Sequence, residues 1–149
     1  MRTRKIHLLL AALLLPAVAA HAQIQPQPRT QAPSQAPGLH WQSSGAAQYV
    51  CGGVSDEDMS AIQAYRDESN GELLLTGGPQ GAYLANVAIV IHGKQLKTPL
   101  NFTAGGPVCL LKLPKGSYVV DASYNGVPLK QNLRIDGTHR KIQLRWATD

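Results

Sequence analysis

The run Val108-Cys109-Leu110-Leu111-Lys112-Leu113-Pro114-Lys115-Gly116-Ser117-Tyr118-Val119-Val120-Asp121-Ala122-Ser123-Tyr124-Asn125-Gly126-Val127 decides the fold. Val108 to Leu113 is nearly continuous apolar sequence, as in a strand covered on both faces. Pro114-Lys115-Gly116 turns the chain, because Pro presets φ and Gly relaxes it. Tyr118, Val120 and Ala122 then alternate with Val119, Asp121 and Ser123, the period of a half-buried strand. Asn125-Gly126 readily supplies two consecutive residues at positive φ, which is what a tight hairpin requires.

The same alternation continues on both sides. Toward the C-terminus, Leu129, Leu133 and Ile135 share a face, Asp136-Gly137 turns, and Ile142, Leu144 and Trp146 oppose Lys141, Gln143 and Arg145. Toward the N-terminus, Ala85, Val87, Ile89 and Ile91 follow Tyr83, Gly93 to Gln95 turns, Leu100 and Phe102 repeat the pattern, and Gly105-Gly106-Pro107 breaks it. Leu73 to Leu75 and Tyr49-Val50-Cys51 are shorter strand candidates. One helix interrupts the series. Ser55 is its N-cap, Asp56, Glu57 and Asp58 suit the positive end of the helix dipole, and Met59, Ile62 and Tyr65 form a narrow core-facing stripe. Asn70-Gly71 is expected to end it with residues tolerant of positive φ.

Six or seven short strands spaced by Gly, Pro and Asn turns predict a mainly β fold, an antiparallel Ig-like or transthyretin-like sandwich with one N-terminal helix. No crossover helices separate the strands, so a parallel sheet is not expected.

The remaining chain reads as export apparatus. Arg2, Arg4 and Lys5 form a basic start, Leu8 to Leu15 a short apolar run, and Ala20-His21-Ala22 a small-x-small cleavage pattern, so residues 1–22 are expected to be a signal peptide cleaved near Ala22-Gln23. The apolar run is shorter than the ~20 residues of a membrane span, so the mature chain has no expected transmembrane segment; an uncleaved anchor is the alternative. Residues 23–47 form a Pro/Gln-rich linker, mostly disordered, with Pro26, Pro28, Pro33 and Pro37 favouring an extended form. The stretch from Gln23 to Gly38 could reach roughly 50 Å. The folded domain is then expected over 48–149, with order beginning near Gln48.

Loss of the three basic leader residues leaves eleven Lys/Arg against nine Asp/Glu, a net charge of +2 in place of +5. With scattered cations and a single Phe, neither a phosphate-tracking stripe nor a stacking platform for nucleic acid is visible. The chain has two cysteines, Cys51 and Cys109. In an oxidising compartment they are most simply one disulfide, the other reading being two buried free thiols.

Leu113-Pro114-Lys115-Gly116-Ser117-Tyr118-Val119-Val120-Asp121-Ala122 resembles the LPxGxYxVxA turn and strand of carboxypeptidase regulatory-like domains, which are transthyretin-like β-sandwiches. A wider likeness is to small exported proteobacterial proteins that carry such a domain. It rests on Gly52-Gly53-Val54 before the acidic residues Asp56 to Asp58, on Ala82-Tyr83-Leu84-Ala85-Asn86-Val87, on Gly106-Pro107 and on the terminal Trp146. The resemblance spans Gln48 to Trp146 and its motifs are mostly turn and core positions, so it implies a fold and transfers no activity or site residue.

Motifs of enzyme chemistry are missing from the sequence. There is no H-E-x-x-H and no Gly-x-Ser-x-Gly, and neither Gly77-Gly78-Pro79 nor Gly105-Gly106-Pro107 leads into a helix with Lys and Ser/Thr. His92 and His139 fall in predicted turns far apart in sequence. Asn101-Phe102-Thr103 has glycosylation-acceptor spacing, read as coincidence on a strand. No catalytic, cofactor-binding or metal residue is therefore assigned, and no cofactor is implied. The expected function is that of a non-catalytic periplasmic or extracellular module serving protein interaction or envelope structure, with an envelope protein or glycan as partner. One alternative is carbohydrate binding through Tyr124, Tyr83 and Trp41, weakened because Tyr83 and Tyr118 read as core. The other is a small periplasmic hydrolase with His92 or His139 as general base.

Overall fold

The structure is a computed structural model that describes residues 38–147; the signal peptide expected at 1–22 and linker residues 23–37 lie outside the described residues. Ten strands and one helix follow in the order β1 Gln42–Ser44, β2 Ala47–Gly52, α1 Asp56–Arg66, β3 Gly71–Gly77, β4 Ala82–Tyr83, β5 Val87–Gly93, β6 Leu100–Ala104, β7 Val108–Lys112, β8 Gly116–Tyr124, β9 Val127–Ile135 and β10 Arg140–Trp146. They form two sheets, β1-β2-β7-β3-β10 with β4 on the end of β3, and β6-β5-β8-β9. The chain is a mainly β sandwich, as the alternation predicts.

β7 lies in the middle of the first sheet, hydrogen-bonded to β2 on one side and β3 on the other. Its unbroken apolar run has a use on each face. Cys109 and Leu111 join the core between the sheets, with Leu73, Leu75, Ile89, Ile91, Val120, Leu133 and Leu144. Val108 and Leu110 point the other way and meet Val50 and Ile62 beneath α1. Ser55 caps that helix, its hydroxyl accepting from the Asp58 amide at 3.1 Å, and Met59 and Tyr65 flank the fully buried Ile62. The stripe read from the sequence is the face that docks.

Cys51 and Cys109 sit directly opposite each other in the β2–β7 register and are joined by a disulfide. Their Cα atoms are 4.1 Å apart, the close spacing of a pair that exchanges no ladder hydrogen bonds. The bond therefore clips two strands that are already neighbours.

Four expectations need correction. The described residues form ten strands rather than six or seven, and two of the additional ones, β1 and β4, are short pieces with no periodic signal of their own. Order begins before Gln48: β1 lies in the stretch read as linker and pairs with β2 through a turn at Gly45, which adopts φ +60°. β10 runs parallel to β3, with Arg140 opposite Gly71 and Trp146 opposite Gly77. No crossover helix is needed, since the chain builds the whole second sheet between these two strands. Finally, α1 ends at Arg66, before Asn70-Gly71, and neither of those residues has positive φ. Asn70 instead extends the sheet with its side chain, whose amide donates to the Leu113 carbonyl at 2.8 Å and whose oxygen accepts from the Leu113 amide at 3.0 Å.

The Asn125-Gly126 turn behaves as read, and Gly105-Gly106-Pro107 separates β6 from β7 as expected. Asn125 and Gly126 take φ of 48° and 79°, closing the β8–β9 hairpin. Gly106 passes so close to β2 that an added Cβ would lie 2.3 Å from the Gly52 carbonyl oxygen.

Replacing both cysteines by Ala frees a span of 58 residues in the unfolded chain, so denaturant unfolding is expected to show about 4 kcal/mol less stability. Gly106→Ala meets rigid backbone instead of a side-chain tip and is expected to cost about 2 kcal/mol in the same measurement.

Candidate functional site

Helix α1 covers part of the outer face of the first sheet, whereas among the described residues no element covers the outer face of the second. That open face is set by the period-2 alternation of three strands. With Ile89, Ile91, Val120 and Leu133 turned inward, Ala88, Val90 and His92 on β5, Ser117, Val119, Asp121 and Ser123 on β8, and Pro128, Lys130, Asn132 and Arg134 on β9 face outward. Small side chains leave a shallow groove of about 420 Å³ between Ala88, Val90, Ser123 and Pro128. Its rim is charged. His92 Nε2 and Lys130 Nζ each lie 3.1 Å from an Asp121 carboxylate oxygen, linking the three strands across the face. His92 is thus a strand residue held by a carboxylate, and the turn predicted for it begins after Gly93.

His139 belongs to a different cluster. Glu72, the one carboxylate of β3, has 2% of its side chain exposed and is met by two cationic side chains and a histidine. Arg66 Nε lies at 3.0 Å, Lys141 Nζ at 3.2 Å and His139 Nε2 at 3.3 Å from its oxygens. Burial pushes the carboxyl upward, but Lys141, Arg66 and His139 outweigh it and hold the group below its ordinary value. The other ring nitrogen, Nδ1, lies 3.2 Å from Ser69 Oγ. Serine, histidine and glutamate are therefore in line, yet the connections differ from those of a nucleophilic triad. The Ser69 hydroxyl donates at 2.7 Å to the Arg66 carbonyl at the end of α1, and Glu72 is neutralised by Arg66 and Lys141. This geometry joins the helix end to the start of β10. Sequence reading singled out His139 and missed Ser69 and Glu72; the available signal was a single carboxylate inside an apolar run.

The three aromatics weighed as sugar platforms fall in three places. Trp41 packs edge-on to Tyr65 at 5.7 Å, with Lys112 Nζ 4.1 Å from its ring centre. Tyr124 leans on the buried Trp146 at 6.0 Å. Tyr83 is 65% exposed, contrary to its core assignment, because β4 is a two-residue strand pairing with Thr76 and Gly77 at the end of β3. Tyr118 is core as read, and its hydroxyl donates to the Pro114 carbonyl at 2.6 Å across the β7–β8 turn. Among the described residues no group of three His, Cys, Asp or Glu is arranged to hold a metal ion, and no helix is long and apolar enough to cross a membrane.

No family model and no curated protein matches this chain.

The Glu72 cluster yields a signed pH prediction. A carboxyl depressed in the folded state contributes stability above its unfolded value and loses it as pH falls through the folded value. Thermal unfolding followed from pH 7 to pH 2 is expected to show falling stability below the ordinary glutamate value of 4.5. Glu72→Gln is expected to cost about 2 kcal/mol at neutral pH and to flatten that acid limb.

Proposed function

We propose that this protein is a non-catalytic, exported β-sandwich module that recognises another component of the cell envelope through the outer face of its second sheet. The observation that carries this reading is the asymmetry of the sandwich: α1 covers part of the first sheet, while the face of β5, β8 and β9 is left uncovered by the described residues, grooved and charged at its rim. Uncovered sheet faces of this size present many side chains on a rigid frame, which suits recognition. The disulfide is compatible with an oxidising compartment outside the cytoplasm, and the basic, apolar and small-x-small order of residues 1–22 supports export. The Pro/Gln-rich stretch after it would serve as a spacer for the module. The resemblance of Leu113 to Ala122 to carboxypeptidase regulatory-like domains supports the same reading, because those are accessory sandwiches.

Site-specific photo-crosslinking in intact cells tests the face directly. A crosslinker at Val90 or Ser123 is expected to give a discrete adduct, and one at the exposed Gln63 of α1 none. Equal labelling from all three positions, or from Gln63 alone, would exclude this face as the recognition surface. Sequencing the N-terminus of the protein recovered outside the cytoplasm is expected to begin near Gln23.

A further inference from the structure

Ten Lys and Arg fall among the described residues, and six of them have visible partners. Arg66 and Lys141 bind Glu72, Lys112 binds Glu68, Lys130 binds Asp121, Arg140 binds Asp136, and Arg145 donates to the Gly78 and Pro79 carbonyls. Lys94, Lys97, Lys115 and Arg134 have no hydrogen-bond or ion-pair partner among the described residues. All four lie toward one end of the sandwich, where the turns after β5, β7 and β9 meet.

Two of them bound the lower part of the open face. Lys94 follows Gly93, which pairs with Tyr118, and Arg134 pairs with Ser117, so the two cations flank the Ser117 hydroxyl from neighbouring strands. Strands stand about 4.8 Å apart, which puts long cationic side chains within reach of one anion above Ser117. Two shallow hollows share this floor. One of about 450 Å³ is lined by His92, Lys94, Ser117 and Val119, and the other, of about 350 Å³, by Ser117, Val119, Asn132 and Arg134. The carboxylates nearest in register are already engaged: Asp121 by His92 and Lys130, and Asp136 by Arg140. A hydroxyl, an amide, a lysine and an arginine with no competing anion are the donors that a phosphate group takes.

We infer that this end of the face binds a phosphate group, with Arg134 and Lys94 as its cationic clamps and Ser117 and Asn132 as neutral donors. The inference deepens the module reading and rests on it. Lys97 and Lys115 raise the local potential around the clamp without forming part of it. The phosphate could be carried by a lipid headgroup at a membrane surface or be free in solution, and the two sources separate by experiment.

The test uses the full chain, isotope-labelled, titrated with inorganic phosphate, and the same protein in flotation assays with vesicles of phosphatidylglycerol and phosphatidylcholine or of phosphatidylcholine alone. Phosphate is expected to shift the amide signals of residues 94, 117, 132 and 134, and the double variant Lys94→Gln/Arg134→Gln to abolish the shifts. Preference for the phosphatidylglycerol vesicles, falling roughly 30-fold in that variant, identifies a lipid headgroup. Phosphate shifts without vesicle preference identify a soluble phosphate ligand. Lys130→Gln, on the same face but paired with Asp121, is expected to change either readout less than about threefold, and an equal loss there would reduce the effect to overall charge. Absence of both localised shifts and vesicle preference, or binding unchanged in the double variant, overturns the inference. If crosslinks from Val90 or Ser123 still capture a partner in that event, the phosphate clamp falls and the module reading stands.

Discussion

Burial of β7 on both faces is the constraint on which the rest of the structure depends. A strand with Cys109 and Leu111 on one side and Val108 and Leu110 on the other cannot stay in water on either side, so it requires both a second sheet and a covering helix. The second sheet supplies the large core. The helix supplies the small one with a single fully buried residue, Ile62, aided by Met59 and Tyr65. The disulfide lies within this central ladder, and Asn70 continues the ladder past the last residue of β7 by using its side-chain amide as a strand would use its backbone.

From this arrangement follows the division of the molecule into a closed side and an open one. On the first sheet, the outward-facing groups are engaged by the helix or by one another, as with Glu72 and its cations or with Gln143 and the Thr76 hydroxyl at 2.9 Å. On the second, a single carboxylate, Asp121, organises the centre of the face and leaves two cations free at one end. Electrostatic partners are thus distributed unevenly although the described chain is close to neutral, and the uneven part coincides with the face that no described residue covers. The acidic residues Asp56 to Asp58 stand at the start of the helix, beside the ladder's opposite end. Such polarity orients a small protein in the field of a charged surface.

How much of this was legible in the sequence differs from element to element. Strands with alternation over five or more residues, the Asn125-Gly126 hairpin, the Ser55 cap and the docking stripe of α1 could all be read, because each depends on neighbours a few residues away. β1 and β4 could not: two or three residues carry no period, and they exist because β2 and β3 offer edges to pair with. The exposure of Tyr83 is hidden for the same reason. The parallel union of β3 and β10 is fixed by the route of the chain and leaves no local mark. The open face could be listed from alternation, but which cations on it lack partners depends on registers across β5, β8 and β9. The Ser69, Glu72 and His139 cluster joins three separate segments and was visible only as an isolated acid.

The parallel pairing has a kinetic consequence. β3 begins at Gly71, yet one of its long neighbours is β10, the last of the described strands, so the stretch from Gly71 to Arg140 must be laid down before the first sheet is complete. Contacts this distant in sequence slow folding and leave apolar edges such as Leu73 and Leu75 unprotected in the meantime. The first sheet therefore gains the β10 side of β3 only after the strands of the second sheet have been laid down.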